Sequence, residues 1–353
     1  MQAEGIEAIF VVPKANMNYL AGYHTDIEKR LCTAIFPLDG EPAVVAPATQ
    51  EARVAKGTWI KDIRIWADGE DPAVSAKKVL EERRISKGSI GLDEAMSWGH
   101  AHRLQEALPE ARFVDCSKIL HDLRMTKSTE ELEKMKKAAG IVELGIKAGF
   151  ESTSVGRTEL ELWSAVAARI TSEGGDVTAC PWNVHTGANT AGLGLPTGKS
   201  KVQRGDLVHF DVAISYEGYF ADITRNAVVG PLTGEMKMIQ RIVLDAQMSA
   251  MKATRPGVTA EAVDRAARDA IAKKCYGPNF GHRLGHGMGL ELHEEPSMAS
   301  GNRIILRPGM VFTNEPGVRL PGKFGFHTED IVVVTQDGYD LLSTMDREIV
   351  QLP

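Results

Sequence analysis

The sequence has few of the features that mark secreted, membrane-bound or nucleic-acid-binding proteins. No Cys-x-x-Cys pair occurs among the scattered cysteines Cys32, Cys116, Cys180 and Cys275, which argues against a disulfide framework and a thiolate zinc site. No apolar run approaches the roughly 20 residues that a membrane-spanning helix needs. The first residues, MQAEGIEAIFVV, lack the basic leader of a signal peptide. A formal net charge of −6 argues against a nucleic-acid-binding surface, which would need clustered Lys and Arg. We expect a cytoplasmic protein that binds neither membranes nor nucleic acid.

The length of 353 residues exceeds what one ordinary hydrophobic core organises, so it predicts two domains. Short strand and helix patterns alternate as far as residue 124, whereas long capped helices begin at Ser128. We therefore expect a first domain over residues 1–124 and a second over residues 125–353. The first should be an α/β module, with a hairpin at Asp39-Gly40 and a helix over 71–84. It contains no catalytic constellation.

The second domain contains one pattern twice. Capping boxes at Ser128 and Thr158 open two helices, and two later helices are predicted over 234–253 and from Thr259 to about residue 274. Each helix pair is followed by a pair of strands that carry carboxylates. The sequence thus predicts an α+β domain with duplicated helix-helix-hairpin halves, whose two hairpins meet at a central site.

The first hairpin carries Asp211 and Asp222. A loop of Tyr216 and Glu217 would place the two aspartates directly opposite each other. A loop of Glu217 and Gly218 would shift the pairing but leave both side chains on one face of the sheet. In either register two carboxylates share an apolar surface, where they cannot both stay ionised without compensation.

The remaining candidates lie further along the chain. Glu315 and Glu329 belong to the second strand pair, and His286 lies in a glycine-punctuated stretch between His282 and His293 that we expect to be extended. A protonated carboxylate dyad would not need the extra glutamates and histidine. Five anionic or imidazole ligands suffice for two divalent ions, and oxygen-rich ligation favours Mn²⁺, Co²⁺ or Fe²⁺ over a structural zinc site.

Four segments resemble the pita-bread-fold metallopeptidases, which include proline dipeptidase and Xaa-Pro aminopeptidase. They are DVAISYEGYFADITR from Asp211, HRLGHGMGLELHEEP from His282, GMVFTNEPGV from Gly309 and HTEDIVVVT from His327. ANMNYLAGY from Ala15 extends the resemblance to the creatinase/prolidase-like N-terminal domain, so it covers nearly the whole chain. The resemblance implies a homodimer with two divalent ions, Mn²⁺ or Co²⁺ first, and Fe²⁺ or Zn²⁺ as alternatives.

The resemblance also implies a role for each site residue. Asp211 and Asp222 would bind one ion, His286 and Glu315 would complete the other, and Asp222 and Glu329 would bridge them. Glu315 resembles the proton shuttle of the family. His293 matches a histidine that stabilises the intermediate or orients the substrate, and His282 lies near the same pocket.

The sequence departs from the family at two substrate-contacting positions. Gly194 stands where the family usually has a histidine, a loss for which His185 could substitute. His327 stands where prolidase-type members have an arginine that holds a substrate carboxylate, and an imidazole is a poorer clamp than a bidentate guanidinium.

These residues support three functions. The first is hydrolysis of a peptide bond near an N-terminus, in Xaa-Pro dipeptides or longer Xaa-Pro peptides, by a dinuclear metallopeptidase. The second, motivated by Gly194 and His327, is a metal-dependent hydrolase or lyase of a small non-peptide amidic or zwitterionic metabolite. The third is a non-catalytic binding module, which retention of all five ligands disfavours.

Overall fold

The computed structural model describes residues 1–25, 27, 29–178 and 183–353, so Cys180 lies outside the described residues. The chain divides into two compact units, Met1–Arg124 and Met125–Pro353. Cys32, Cys116 and Cys275 are free thiols. None of the described helices is both long enough and apolar enough to cross a membrane.

The first unit is built on a mixed six-stranded sheet. Its strands are β1 (Ala8–Val11), β2 (Thr33–Pro37), β3 (Ala43–Pro47), β4 (Asp62–Trp66), β5 (Ser89–Leu92) and β6 (Arg112–Asp115), in the order β4-β3-β2-β1-β5-β6. The helices are α1 (Ala15–Ala21), α2 (Glu51–Gly57), α3 (Pro72–Glu82), α4 (Trp98–Ala107) and α5 (Ser117–Met125). The predicted hairpin at Asp39-Gly40 joins β2 to β3, and the predicted helix α3 is capped by Asp71.

Helix α1 has few local sequence features that would predict a helix. The side chain of its N-cap residue, Lys14, makes no capping hydrogen bond with any described residue, and the helix has only 7 residues. Isolated helices of this length are unstable in water, so packing must hold it. Met17 and Ala21 supply that packing, because both are fully buried in the core of the first unit.

The second unit contains two pairs of long helices, as the capping boxes predicted. The helices are α6 (Thr129–Ser152), α7 (Glu159–Ser172), α8 (Gly234–Ala253) and α9 (Ala260–Ala272). Ser128 and Thr158 each form a complete capping box with the glutamate three residues later. One core packs α6 and α7 against the first hairpin, and a second core packs α8 and α9 against the later strands.

Two sheets in this unit carry the candidate site. The first contains β7 (Asn183–Thr186), β8 (Leu207–Tyr216), β9 (Tyr219–Val229) and, pairing with β9, a strand near the C-terminus. The later strands are β10 (Gly285–Gly287), β11 (Glu294–Met298), β12 (Val311–Asn314), β13 (Gly317–Leu320), β14 (Phe324–His327), β15 (Asp330–Val334), β16 (Tyr339–Leu341) and β17 (Val350–Leu352). The sheet orders are β17-β9-β8-β7 and β11-β10-β12-β15-β16, and β13 pairs with β14 alone.

The register of the first hairpin follows the second of the two predicted alternatives. Tyr216 pairs with Tyr219, so the loop is Glu217-Gly218 and Asp211 lies opposite Thr224 rather than Asp222. Direct opposition of the two aspartates is therefore wrong, although both still lie on one face. Glu217 and Gly218 have φ of 49° and 82°. A two-residue hairpin needs positive φ at both positions, which glycine accepts and tyrosine resists.

Candidate metal centre

The five predicted metal ligands converge on one cleft of about 270 Å³. Asp211 and Asp222 lie on β8 and β9, and His286 lies on β10. Glu315 directly follows β12, and Glu329 directly precedes β15. The Nε2 atom of His286 is 3.6 Å from Glu315 Oε1 and 3.9 Å from Asp222 Oδ2. Ligand atoms of Asp222, His286 and Glu329 all lie within 4.8 Å of one another. The two halves of the unit therefore meet at a compact group of potential ligands.

Two glycines let the strand that carries His286 approach its neighbours. A Cβ atom at Gly285 would lie 1.9 Å from the carbonyl oxygen of Thr313, and one at Gly287 would lie 2.2 Å from that of Glu295. Any larger residue would collide with backbone on either side. The extended structure predicted for this stretch is confirmed, because Gly285–Gly287 forms β10.

The Nδ1 hydrogen bond of His286 leaves its Nε2 atom bare, that is, without a proton. Its Nδ1 donates to the carbonyl oxygen of Gly287 at 3.0 Å, so the proton of the neutral ring is on Nδ1. Burial lowers the pKa of His286 to about 3, which keeps the ring neutral. The Nε2 lone pair therefore points toward the carboxylates in the form that binds a metal ion.

The carboxylates lack the partners that buried anions need. Within the described part of the chain, Asp222 Oδ1 and Glu329 Oε1 are buried without a hydrogen-bond donor. Burial raises the pKa of both groups well above the ordinary value, and carboxylate neighbours raise it further. Orphaned carboxylate oxygens beside a bare imidazole nitrogen fit divalent cations of the oxygen-preferring kind.

In the metal-free protein the free energy of unfolding should decrease as pH rises, because a buried carboxyl group keeps its proton. Burial raises the pKa of Glu315 from 4.5 to about 8, so above pH 4.5 the metal-free fold keeps a proton that the unfolded chain releases. The free energy of unfolding then falls as pH rises, by up to about 1.4 kcal/mol per pH unit for one such carboxyl. Above about pH 7.5 a histidine with the ordinary pKa of about 6.5 is mostly neutral in the unfolded chain too, so the histidines that are neutral in the fold oppose this trend only weakly.

We expect the thermal midpoint of chelator-treated protein to fall from about pH 7.5 to about pH 8.5. Saturating Mn²⁺ should abolish this fall, because bound cations replace the protons that the carboxylates otherwise retain. Calorimetry on both forms measures the two slopes. Equal slopes with and without Mn²⁺ would contradict the assignment of these carboxylates to a metal centre.

The four other histidines predicted to act at the site also line the cleft. The ring centroid of His293 is 4.2 Å from that of His286. His282 donates from Nδ1 to the carbonyl oxygen of Arg283 at 2.7 Å, which leaves Nε2 without a partner among the described residues. His185 Nδ1 is 3.8 Å from Glu159 Oε1.

His327 is a neutral ring that donates a hydrogen bond to the hydroxyl oxygen of Thr224. Thr224 Oγ1 donates to Glu329 Oε2 at 2.8 Å, so it accepts from His327 Nε2 at 3.1 Å. Burial, and then the neighbouring His209, lower the pKa of His327 well below its ordinary value. An uncharged ring whose Nε2 proton is already committed cannot supply the positive charge of the family arginine.

Sequence reasoning missed Glu159, which organises the glycine-rich loop beside the cleft. This buried carboxylate accepts from the backbone N–H groups of Thr186 and Gly198, both at 2.9 Å, and from the Asn189 side chain at 3.0 Å. It was visible only as part of a capping box. Gly194 lies in the loop so held and lines the cleft.

Sequence reasoning also missed Arg319, which lines the cleft from β13. The residues Glu315, Gly317 and Arg319 alternate in an extended segment, and this alternation could have indicated a shared face. The Nη1 atom of Arg319 donates to the carbonyl oxygen of Thr190 at 3.2 Å.

Behind Glu329 lies a buried polar network centred on Arg225, which is 1% exposed. Its Nη1 donates to the carbonyl oxygens of Thr224 and Glu329, at 2.8 and 2.6 Å. Its Nη2 donates to Asp330 Oδ1 at 2.6 Å and to the carbonyl oxygen of Met345 at 2.7 Å. Arg347 forms a second ion pair with Asp330. One guanidinium thus joins β9 to the strand that begins beside Glu329.

Two protein-family models match the chain. A family model described as metallopeptidase family M24 matches residues 133–336, and one described as the creatinase/prolidase N-terminal domain matches residues 1–126. Over 356 residues the chain is 32% identical to a Xaa-Pro dipeptidase of Lactobacillus delbrueckii subsp. lactis, with 100% of this chain and 97% of that protein covered.

Solved structures agree along the chain. A prolidase from Thermococcus sibiricus matches with a TM-score of 0.93 and 33% identity, covering 99% of this chain and 96% of that one. An X-Pro aminopeptidase from Thermotoga maritima matches with a TM-score of 0.90 and 30% identity, covering 99% and 97%. These likenesses confirm the predicted fold class, an α/β N-terminal domain of creatinase/prolidase type followed by a pita-bread domain.

Proposed function

The chain belongs to metallopeptidase family M24, and from this premise we propose that it hydrolyses Xaa-Pro dipeptides with the help of two divalent metal ions. The observation that carries the proposal is the pair of buried, orphaned carboxylate oxygens on Asp222 and Glu329 beside the bare Nε2 of His286. Such a group of atoms is costly in a protein interior unless cations compensate it. The dipeptide substrate is supported by the relatives that are Xaa-Pro dipeptidases and prolidases.

In this proposal five residues would hold the two ions. They are Asp211 and Asp222 on the first hairpin, together with His286, Glu315 and Glu329 from the second half of the unit. When bound, two such ions would acidify a water molecule and stabilise negative charge on the scissile carbonyl oxygen.

The remaining steps fall to the side chains around the ions. Hydrolysis forms a carbonyl C–O bond, breaks the C–N bond and moves one proton from water to the leaving nitrogen. Glu315 carries that proton. The hydroxyl group of Thr313 orients the carboxylate of Glu315 by donating to its Oε1 atom at 3.0 Å. The Nε2 atom of His282, which has no partner among the described residues, accepts a hydrogen bond from the substrate, and His293 orients the substrate from its position beside His286.

The proposal extends to three further properties. We assign Mn²⁺ or Co²⁺ as the working ion, since four oxygen donors and one imidazole suit these metals. A cytoplasmic location is supported by the free thiols of Cys32, Cys116 and Cys275, because reducing compartments keep thiols unpaired. A homodimer is supported by the family resemblance, and light scattering on the purified protein tests it.

Product release by Mn²⁺- or Co²⁺-loaded protein tests the proposed reaction. We expect cleavage of an Xaa-Pro dipeptide, with weaker or no cleavage of the corresponding Xaa-Pro-Xaa tripeptide. Preferential cleavage of the tripeptide would instead indicate an aminopeptidase. Inactivity on both, with two ions bound by elemental analysis, would overturn the peptidase assignment.

A second candidate function rests on the two departures at substrate-contacting positions. The uncharged His327 and the side-chain-free Gly194 remove two groups that serve peptide recognition in the family. A small amidic or zwitterionic metabolite would be the alternative substrate. A panel of such compounds, assayed beside the peptides, separates the two functions.

A further inference from the structure

Among the described residues that line the cleft, two are arginines, Arg283 and Arg319. Arg283 donates from Nη1 to the hydroxyl of Ser297 at 3.1 Å. Arg319 is fixed differently, because its Nη1 lies against the loop and donates to the backbone carbonyl oxygen of Thr190. That loop packs closely on β14, where a Cβ atom at Gly325 would lie 2.3 Å from the same oxygen. The guanidinium is thus seated between the glycine-rich loop and the metal centre.

Some N–H donors of the Arg319 guanidinium have no acceptor among the described residues. Its Nε is buried without a hydrogen-bond partner, and Nη2 makes no hydrogen bond with any described residue. No described carboxylate lies within 4.0 Å of it, although Asp211 and Glu315 are close enough to act through their charge. A guanidinium stays protonated in proteins, so a cation without a contacting anion faces the cleft.

If the metal ions of the proposed function are bound, the positive charge of Arg319 is freer to attract an anion from the substrate. Asp211 and Glu315 would then be committed to cations, and their attraction for Arg319 would be largely cancelled. A desolvated guanidinium without an anion is costly, and a bidentate carboxylate is the ligand that best matches its geometry. His327 cannot compete for that role, since its Nε2 proton is directed to Thr224.

We propose that Arg319 is the specificity-determining residue that receives the carboxylate of the substrate, in place of the arginine absent from position 327. The inference rests on the proposed function. In an Xaa-Pro dipeptide the leaving proline carries the free carboxylate, whereas in a longer peptide the same carbon belongs to a neutral amide. Arg319 thereby restricts the cleft to dipeptides and to other small molecules with a free carboxylate.

Paired substrates test the inference. Wild-type protein, R319M and R319K would be loaded with Mn²⁺ and assayed on Ala-Pro and on Ala-Pro-amide. We expect wild type to prefer Ala-Pro by about 100-fold or more in kcat/KM, the range for a buried charge pair. R319M should lose that preference mainly through a higher KM on Ala-Pro, with little change on the amide. R319K should regain part of it, because an ammonium gives one contact rather than two.

The matched control is R283M, which removes the other arginine of the cleft. We expect it to keep the preference for Ala-Pro over the amide. Loss of the preference in R283M but not in R319M would overturn the inference and assign the carboxylate to Arg283. Equal losses on both substrates in R319M would show a structural role only, which also overturns it.

A binding measurement separates this inference from the reaction itself. Calorimetry compares L-proline with L-prolinamide on the Mn²⁺-loaded proteins, whose metal content is checked by elemental analysis. We expect proline to bind wild type and R283M but not R319M. If wild type cleaves no peptide, the proposed function fails, yet loss of proline binding in R319M would still support the carboxylate site. Unchanged proline binding in R319M would overturn it.

Discussion

Replacing Glu329 by alanine should abolish hydrolysis of an Xaa-Pro dipeptide and reduce the bound metal below two ions per chain. Glu329 is 2% exposed, and one of its oxygens has no hydrogen-bond partner among the described residues. In the proposed arrangement Glu329 would be one of the five residues that hold the ions, so its loss would weaken metal binding. Losing a residue that merely supports a ligand costs roughly 10–100-fold, and losing a ligand itself should cost more. Elemental analysis and kcat/KM measure the two effects.

Two variants make the result interpretable. Glu329→Gln keeps the shape but removes the charge, so it should lose metal nearly as fully as the alanine variant. Asp340→Ala removes an exposed carboxylate from β16 of the same sheet and should leave metal content and turnover unchanged. Two ions per chain and normal turnover in Glu329→Ala would refute the metal-centre assignment.

Replacing Arg225 by methionine should lower the free energy of unfolding by about 3–5 kcal/mol, the range for removing one partner of a buried ion pair. The variant removes the donor to the carbonyl oxygens of Glu329 and Met345 and the shortest of the hydrogen bonds to that of Thr224. Asp330 loses its buried partner as well. Burial alone would raise the pKa of Asp330, yet Arg225 and then Arg347 hold it below its ordinary value. Denaturant unfolding of the metal-free protein measures the loss without a contribution from bound ions.

The comparison variant is Arg347→Met, which removes the other cation of Asp330. The side chain of Arg347 is 27% exposed, and Arg225 would still compensate the carboxylate. We expect a much smaller loss of stability than for Arg225→Met. Equal losses would mean that the guanidinium of Arg225 acts only as a counter-charge and that its bonds to backbone oxygens contribute little.

Much of the site could be predicted because its signals are local. Four glycines in nine residues disfavour a helix around His286, and this local signal predicted the extended strand that the structure has. The two aspartates of the first hairpin keep one face in either register, so the error in the loop did not change which side chains meet. Helix caps are equally local, and the four long helices began where Ser128 and its counterparts predicted.

The rest depended on contacts between distant segments. Strands β13 and β14 form a separate pair between Glu315 and Glu329, so the second carboxylate pair is not a simple hairpin. Arg319 reaches the cleft only because that strand pair folds against the loop of Thr190. The role of Glu159 likewise appears only when residues about 30–40 positions later return to it. The pattern of residues within a short stretch of sequence does not reveal contacts between distant segments.

The division of the ligands between two halves has a consequence for synthesis. Asp211 and Asp222 leave the ribosome about 90 to 120 residues before Glu315 and Glu329. At about 5–20 residues per second, that interval lasts roughly 5–25 seconds. During it, the first half offers two carboxylates without the imidazole and glutamates that complete the site. Stable metal loading must therefore wait until the second half has been made and docked, so a bound pair of ions marks a chain whose two halves have come together.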